Sequence, residues 1–381
     1  MLSYVFPLYP NREQREELEL TLETCRIAYN SLLEELHKQQ IPDRSAMQHK
    51  LVEMKKSNPG FGKVYSKTLQ YECYRLFSNL SALRSLKKKG RKTGRLRFKG
   101  KEWFKTIVYN QSGFRLEKVT EKRSIIHLSR IGSISIKTHR AVEGSVKGLI
   151  IKRSCGRWYL ILQTDARRKD IVHGSKEIGI DVGIESYLTD SNGIKVQNPK
   201  TLEKYRMDLA SAQKELSRKR KGSANRAKAK RRMERLHRRV TNARNDFLHK
   251  TSARLVRGCR FIAVERLDIK GMMERPNYNA RNIADASWNR FLQMLRYKAE
   301  SAGCGVVEVD PANTTRMCSS CASLQEMPLY KRVYDCGACS MSMDRDCNSA
   351  INILKKAYAG PERAYAENMD TYSMKQEASG F

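Results

Sequence analysis

Four cysteines in the carboxyl-terminal part of the sequence form two Cys-x-x-Cys pairs. The pairs are Cys318/Cys321 and Cys336/Cys339, and fourteen residues separate them. Zn²⁺ takes four thiolates in a tetrahedron, and this spacing is close to that of a four-cysteine zinc ribbon. The other six cysteines are scattered along the chain, which favours a metal site over chance pairing. The spacing predicts one structural zinc ion in a ribbon.

Three carboxylates lie next to apolar segments that could place them together. Asp181 is at the centre of the apolar run 178–184, Glu265 follows the run 261–264, and Asp346 opens a helix-like segment. A buried carboxylate is costly unless it is paired or binds a metal. Clustered hard oxygen ligands suit two divalent ions, Mg²⁺ or Mn²⁺. In that chemistry one ion activates the attacking water and the other stabilises the leaving 3′-oxygen, so that a phosphodiester is cut in line.

A single Asp or Glu beside a strand is more often a turn or surface residue. Five other carboxylates of the sequence are interpreted in that way: Asp170, Asp190, Asp268, Glu308 and Asp310. Asp181 and Glu265 differ from these because each lies within, or directly after, an apolar run.

The charge of the chain predicts a polyanionic partner. There are 74 Lys and Arg residues against 40 Asp and Glu, a formal net charge of +34. So large an excess repels itself in a compact fold unless nucleic acid neutralises it. No apolar run is long enough to span a membrane, and the first residues lack the pattern of a secretory signal. We expect a cytoplasmic, nucleoid-associated monomer whose thiols stay reduced.

A very basic helical region follows the first apolar strand. It is predicted over residues 201–250, and between Ser217 and Asn245 it holds thirteen Lys or Arg residues against one acid, Glu234. A solvated helix face usually mixes both signs, so this excess favours tracking a phosphate backbone. The candidate nucleic-acid contacts are sampled from this region: Lys219, Arg220, Lys221, Arg231, Arg232, Arg238 and Arg239.

The amino-terminal half combines helices with short strands. A strand is predicted over residues 3–9, and a helix begins after Asn11, whose capping partner is Gln14. Short β-branched or aromatic segments then alternate with turns over residues 95–163, which predicts a small β-barrel or sandwich that includes the first strand. Basic and aromatic residues interleave over residues 97–105. This suits nucleic-acid binding by charge and stacking, and a half-buried strand would show the same pattern.

Four motifs in order resemble the RuvC-type nuclease half of TnpB proteins, the insertion-sequence-encoded, RNA-guided DNA endonucleases related to type V CRISPR effectors. They are Ile178–Ile184 (IGIDVGI), Ile262–Met272 (IAVERLDIKGM), the paired-cysteine ribbon and Asp344–Leu354 (DRDCNSAINIL). The opening Leu8-Tyr9-Pro10-Asn11 also resembles that family. The resemblance covers residues 1 to about 356. Two glycines expected at the ribbon knuckles are Ala322 and Ser340 here.

This resemblance implies an α/β RNase H-like (RuvC) nuclease domain with an inserted four-cysteine ribbon, preceded by all-β and helical parts. It implies that Asp181, Glu265 and Asp346 take the three catalytic positions and bind Mg²⁺, and that the protein grips a guide RNA and double-stranded target DNA beside a short flanking motif. The implied domains are a split β-barrel wedge (1–10 and 95–165), a helical recognition insertion (11–94), a linker (166–177), the nuclease domain (178–313 and 343–356) with a basic helical insertion (201–255), the ribbon (314–342) and a disordered tail (357–381).

Three other functions compete with a guided nuclease. A guide-directed DNA-binding regulator that does not cut would be expected to lose the carboxylate trio, which is intact. A DNA-joining transposase of the single-strand insertion elements needs a Tyr nucleophile with a paired-His metal site, and the sequence has no His-x-His. A guide-free, resolvase-like nuclease fits the charge and the trio but leaves the amino-terminal half without a task.

Overall fold

The computed structural model describes residues 2–39, 42–110, 112–166, 174–274, 279–328 and 330–360. The chain divides into two compact units, Met1–Arg168 and Lys169–Phe381. Both contain helices and strands, so the fold is of mixed α/β content. None of the helices in these ranges is both long enough and apolar enough to cross a membrane.

The first unit is a seven-stranded antiparallel sheet with four helices. Its elements are β1 (Leu2–Tyr9), α1 (Arg12–Lys38), α2 (Arg44–Ser57), α3 (Pro59–Gly62), α4 (Ser66–Lys88), β2 (Thr106–Asn110), β3 (Phe114–Thr120), β4 (Arg123–Leu128), β5 (Gly132–Lys137), β6 (Val146–Ser154) and β7 (Arg157–Thr164). The strand order is β2-β6-β7-β1-β5-β4-β3. Strand β1 pairs with β7 and β5, so the amino-terminal strand joins the later strands as expected.

Helix α1 starts as the sequence predicts. Asn11 accepts a hydrogen bond from the Gln14 amide, and the Gln14 side chain accepts one from the Asn11 amide, which is a complete capping box. Three elements of this unit are additions to the prediction, α2, α3 and β3. The predicted aromatic and basic segment 97–105 is not a strand, since regular pairing begins only at Thr106.

The second unit is built on a five-stranded sheet. Its elements are β8 (Lys176–Val182), β9 (Ser186–Asp190), β10 (Lys195–Gln197), α5 (Thr201–Lys204), α6 (Arg206–Ser217), α7 (Ala224–Gly258), β11 (Cys259–Glu265), α8 (Ile269–Glu274), α9 (Ala280–Ala286), α10 (Trp288–Ala302), β12 (Gly305–Val309), β13 (Val333–Asp335), β14 (Ser342–Asp344) and α11 (Arg345–Ala359). The order is β10-β9-β8-β11-β12. Strands β8, β11 and β12 are parallel, and β9 is antiparallel to both of its neighbours, β8 and β10.

Both faces of β11, which lies between β8 and β12, are covered by helices, which explains its continuous apolar sequence. Ile262 and Val264 pack into the core that α7 and α10 close. Phe261 and Ala263 face the opposite side and pack against α11. Successive side chains of a strand alternate between faces, so each position of β11 has a defined partner layer.

Three sequence boundaries need correction. The predicted helical region over residues 201–250 consists of α5, α6 and part of α7. It is interrupted at Tyr205, between α5 and α6, and at residues 218–223, which form a turn between α6 and α7. The last helix continues to Ala359 with Ala357 fully buried, so residues 357–359, which were predicted to belong to a disordered tail, are helical. The predicted linker 166–177 overlaps β8, which begins at Lys176. Residues 167–173 of the linker and 361–381 of the tail lie outside the described residues.

Candidate active site and four-cysteine centre

Two of the three predicted carboxylates lie on neighbouring parallel strands and face the same side. Gly179 pairs with Ala263 and Ile180 with Val264, so Asp181 and Glu265 follow at adjacent positions. Ile180 and Val264 point into the core formed with α7 and α10. Because strand side chains alternate, Asp181 and Glu265 point to the other face, which α11 covers.

Asp346 reaches this face because α11 packs directly on β8. The two backbones meet at Gly179, where an added Cβ would lie 2.0 Å from the Ala350 carbonyl oxygen. The helix begins at a capped end, since Asp344 accepts hydrogen bonds from the Asp346 and Cys347 amides at 3.1 Å each. Asp346 lies in the first turn.

The three carboxylates interact electrostatically. Burial raises the pKa of Asp181 well above its usual range, and the negative charges of Glu265 and Asp346 raise it further. The Arg345 guanidinium opposes this rise. Burial also raises the pKa of Glu265, against a hydrogen bond from Thr314 and the charge of Lys356. Burial and the neighbouring carboxylates thus oppose ionisation of Asp181 more strongly than Arg345 favours it.

Arg345 holds Asp346 directly. Its Nε and Nη2 atoms lie 3.2 and 3.1 Å from Asp346 Oδ1, and its Nη1 donates to the Lys331 carbonyl oxygen at 3.1 Å. Both side chains are mostly buried, at 11% and 20% exposure. One carboxylate of the trio is therefore already paired.

A network of buried side chains links the trio to the cysteine segment. Thr314 donates from its hydroxyl to Glu265, and its own carbonyl accepts from Asn352 at 2.9 Å. Asn352 also donates to the Met317 carbonyl at 2.6 Å. Asn348 accepts from the Ser319 amide and donates to the Met317 carbonyl, both at 2.8 Å. Sequence reasoning missed these roles, although both asparagines lie in the motif that begins at Asp344.

The four predicted cysteines converge at one point. Their sulfur atoms all lie within 4.8 Å of one another, and they are the one such group of potential ligands among the residues that the structure describes. Cys318 Sγ is 3.7 Å from Cys339 Sγ, and Cys321 Sγ is 3.6 Å from Cys336 Sγ. Four sulfurs each 2.3 Å from a tetrahedral Zn²⁺ lie about 3.8 Å apart. The three carboxylates do not form a group as tight as this one.

Both Cys-x-x-Cys turns have the same backbone geometry. The Cys318 amide donates to Ser323 at 2.9 Å, and the Cys336 amide donates to Met341 at 2.8 Å. Ala322 and Ser340 occupy the left-handed region, with φ of 61° and 57°. Glycine favours that region, so the two missing glycines leave strain in the turns but do not change their shape.

Models of known families match three stretches of the chain. A model described as "Probable transposase" matches residues 163–276, one described as "Cas12f1-like, TNB domain" matches residues 288–353, and one described as "Helix-turn-helix domain" matches residues 1–40. In the last stretch the structure has strand β1 and the single long helix α1.

Curated relatives extend the similarity to almost the whole chain. A "Putative RNA-guided DNA endonuclease" of Streptomyces pristinaespiralis is 32% identical over 94% of this chain and 89% of its own length. "Putative RNA-guided DNA endonuclease InsQ" of Escherichia coli K12 is 31% identical over 64% of each chain. A "TnpB-like protein" of Acanthamoeba polyphaga mimivirus is 31% identical over 46% of this chain and 36% of its own. The chain belongs to the TnpB family.

Two solved structures of type V CRISPR effectors have a fold similar to that of this TnpB-family chain. The protein in the "Cas12f1-sgRNA-target DNA complex" aligns with a TM-score of 0.57 at 17% identity, covering 92% of this chain and 83% of that chain. The "mini-RNA-guided endonuclease CRISPR-Cas_phi3" aligns with a TM-score of 0.51 at 10% identity, covering 93% and 92%. At such identities the likeness concerns the fold.

The carboxylates of this TnpB-family chain that were interpreted as turn or surface residues have local structural contacts where they are described. Asp190 accepts from the Asn192 and Ile194 amides within the hairpin turn, and Asp268 accepts from Gly271. Glu308 pairs with Arg296, and Asp310 accepts from the Ala312 amide. Asp170 lies outside the described residues.

The candidate nucleic-acid contacts lie on or beside α7. Lys219, Arg220 and Lys221 are exposed in the turn before the helix. Arg231, Arg232 and Arg239 are exposed on the helix and Arg238 is half-buried, while Leu236 and Val240 are buried as the sequence predicts. Arg232 also pairs with Glu215 at 2.8 Å.

Proposed function

We propose that the protein is an RNA-guided DNA endonuclease of a mobile element, in which Asp181, Glu265 and Asp346 are the catalytic carboxylates. The observation that carries this proposal is their convergence. Two neighbouring strand ends and one helix start, far apart in sequence, direct three carboxylates to the same face of one sheet. A structural role for all three would leave this concentration of charge unexplained.

The donor set fits divalent hard cations such as Mg²⁺ or Mn²⁺. Carboxylate oxygens are the ligands that these ions prefer, and burial, together with the charges of Glu265 and Asp346, raises the pKa of Asp181. Two such ions, when bound, would activate the attacking water and stabilise the leaving 3′-oxygen. The chain's own residues orient the donors: Thr314 fixes Glu265, and Arg345 holds Asp346 until a stronger cation competes for it.

The four cysteines fit a structural Zn²⁺. Their sulfur–sulfur distances match the edges of a zinc–thiolate tetrahedron, and the hydroxyl of Ser323 lowers the pKa of Cys336. Bound zinc would fix segment 314–321, which the asparagines of α11 hold against the carboxylate site.

The partners that we propose are a guide RNA and a double-stranded DNA target with a short flanking motif. The supports are the net charge of +34, the exposed basic residues of α7 and the likeness to a protein solved with guide RNA and target DNA. The basic helices follow the β8–β10 strands and the cysteine segment precedes α11, which is the order implied for an RNase H-like (RuvC) domain. The seven-stranded unit would then be the wedge and recognition part.

The test is cleavage by protein purified with its co-expressed RNA, in Mg²⁺, on a plasmid that carries a guide-matched target behind a randomised flank. We expect cuts that require the guide match and disappear in Asp181→Ala. Asp310→Asn is the matched control, because Asp310 is exposed at the end of the neighbouring parallel strand β12. It should cut at the wild-type rate.

Other outcomes separate the competing functions. Guide-matched binding without cutting would indicate a regulator. Cutting without any RNA would refute guidance and favour a resolvase-like nuclease. Cutting that survives Asp181→Ala would refute the assignment of the site.

A further inference from the structure

Two aromatic side chains of the first unit are exposed on either side of a lysine. Phe98 is 55% exposed and Trp103 is 69% exposed. The Lys99 ammonium lies 5.2 Å from the centre of the Trp103 ring, within cation–π range. We call Phe98, Lys99 and Trp103 the aromatic platform. Packing in a hydrophobic core does not account for the two exposed rings, because large apolar side chains of a core are normally enclosed.

The backbone beneath the platform is held firmly. The Lys99 amide donates to Asn30 Oδ1 at 2.7 Å, and the Lys99 carbonyl accepts from Asn30 Nδ2 and Arg26 Nη1 at 3.0 Å each. Phe104 turns the other way and is buried against Tyr29, with ring centroids 5.7 Å apart. The exposed rings are therefore presented by an anchored segment, which reduces the entropy lost when a partner binds.

The surroundings of the platform are strongly basic. Residues 81–105 contain eleven Lys or Arg residues and one acid, Glu102. A nucleic acid offers phosphates for the charges and flat bases for the rings together. Stacking requires bases that are free of a duplex, because paired bases already stack on each other.

We infer that the aromatic platform binds unpaired bases of a single-stranded nucleic acid, by stacking on Trp103 and Phe98 while neighbouring lysines and arginines contact the phosphates. The choice of partner rests on the proposed function. The site itself is additional to the basic helix α7 and to the carboxylates. RNA and DNA share this chemistry, so the experiment compares them.

Tryptophan fluorescence reports on this site directly. The chain has three tryptophans, and the other two, Trp158 and Trp288, are 6% and 2% exposed. We expect oligouridylate or oligothymidylate to quench the exposed component when added to the full chain freed of RNA. Inorganic polyphosphate should not quench it, since it supplies charge without bases, and a blunt duplex should quench it weakly. The relative effect of the two oligonucleotides identifies the preferred strand.

Substitutions test whether the rings contribute to affinity. Trp103→Ala and Phe98→Ala should each weaken binding of a labelled oligonucleotide by about ten-fold, and Trp103→Phe should retain most of it. Tyr9→Ala is the matched control, because Tyr9 is also an exposed aromatic residue, at 54% exposure. Tyr9 precedes α1, whereas Asn30, which anchors Lys99, lies about 27 Å along that helix from its start. The Phe variant also shows that loss of affinity is not a folding defect.

Two results would overturn the inference. One is oligonucleotide binding without quenching of Trp103, and the other is equal quenching by polyphosphate. Neither result involves cleavage. If the protein stacks bases on Trp103 but does not cut DNA, the nuclease proposal is refuted and the aromatic platform is retained. If the protein cuts guide-matched DNA but oligonucleotides do not quench Trp103, the aromatic platform is refuted and the nuclease proposal is retained.

Discussion

Gly179→Ala tests whether the packing of α11 on β8 sets the position of Asp346. A Cβ at residue 179 would lie 2.0 Å from the Ala350 carbonyl oxygen, 2.8 Å from the Leu354 amide nitrogen and 3.0 Å from Leu354 Cβ. The first two atoms belong to the helix backbone. No change of rotamer relieves such a contact, so the helix itself must move.

The size of the effect follows from these distances. An ordinary contact requires about 3.4 Å, so α11 must withdraw by more than about 1 Å at this point. Overpacking of this kind costs about 1–3 kcal/mol of folding free energy. Asp346 moves with the helix, and a misplacement of about 1 Å at a catalytic group lowers a rate by about 100-fold. We expect both losses in the same variant.

The assay is single-turnover cleavage of guide-matched DNA together with thermal unfolding of the same preparations. Rates are compared well below both unfolding midpoints, so that unfolded protein does not account for the loss. Gly258→Ala is the control, because its added Cβ meets no atom within 4 Å and the residue ends a helix. It should leave the rate and the midpoint unchanged or slightly improved. Wild-type cleavage and stability in Gly179→Ala would refute the reasoning.

Three further predictions concern stability. Ala322→Gly and Ser340→Gly should each stabilise the metal-loaded ribbon by about 0.5–1 kcal/mol by relieving left-handed strain, measured as slower zinc release to a chelator. Asn352→Ala leaves the Thr314 carbonyl without its side-chain donor, whereas the Met317 carbonyl keeps Asn348, so the change should cost about 1–3 kcal/mol, measured by chemical unfolding. Burial raises the pKa of Glu72 to about 8 against the opposing charge of Arg75. The folded state then keeps a proton that the unfolded chain loses, so stability falls as pH rises from about 4.5 to about 8, and Glu72→Gln should flatten that fall in a pH series of unfolding midpoints.

The positions of the candidate ligands were predictable because short-range rules determine them. An apolar run that ends in a carboxylate predicts a buried strand with a charged end, and parallel strands bring such ends to one edge. Glu265 follows this rule, and Asp181, at the centre of its apolar run, lies one residue before the end of β8. Paired cysteines on tight turns must present their sulfurs together, and the turns keep their form even with Ala322 and Ser340 in place of glycine.

The missed elements have weak local patterns. Helix α2 buries only Met47 and Leu51, too few to mark a periodic face. Strand β3 is exposed along most of its length, so it lacks the alternation that predicts a half-buried strand. Its place is determined by pairing with β4, a contact that no local pattern records.

Within the site, too, a role that depends on contacts with another element could not be predicted from the local sequence. Thr314 gives no sign in the sequence that it orients Glu265, because its role depends on Asn352, which lies on another element and holds its carbonyl. Asn348 and Asn352 are both fully buried, where a polar side chain is costly unless its partners are fixed. Their partners belong to the segment that leads into the cysteine centre. The ribbon and the carboxylates therefore share one helix, α11, as a common support, and disorder in the ribbon would reach Asp346 through that helix and Glu265 through Thr314.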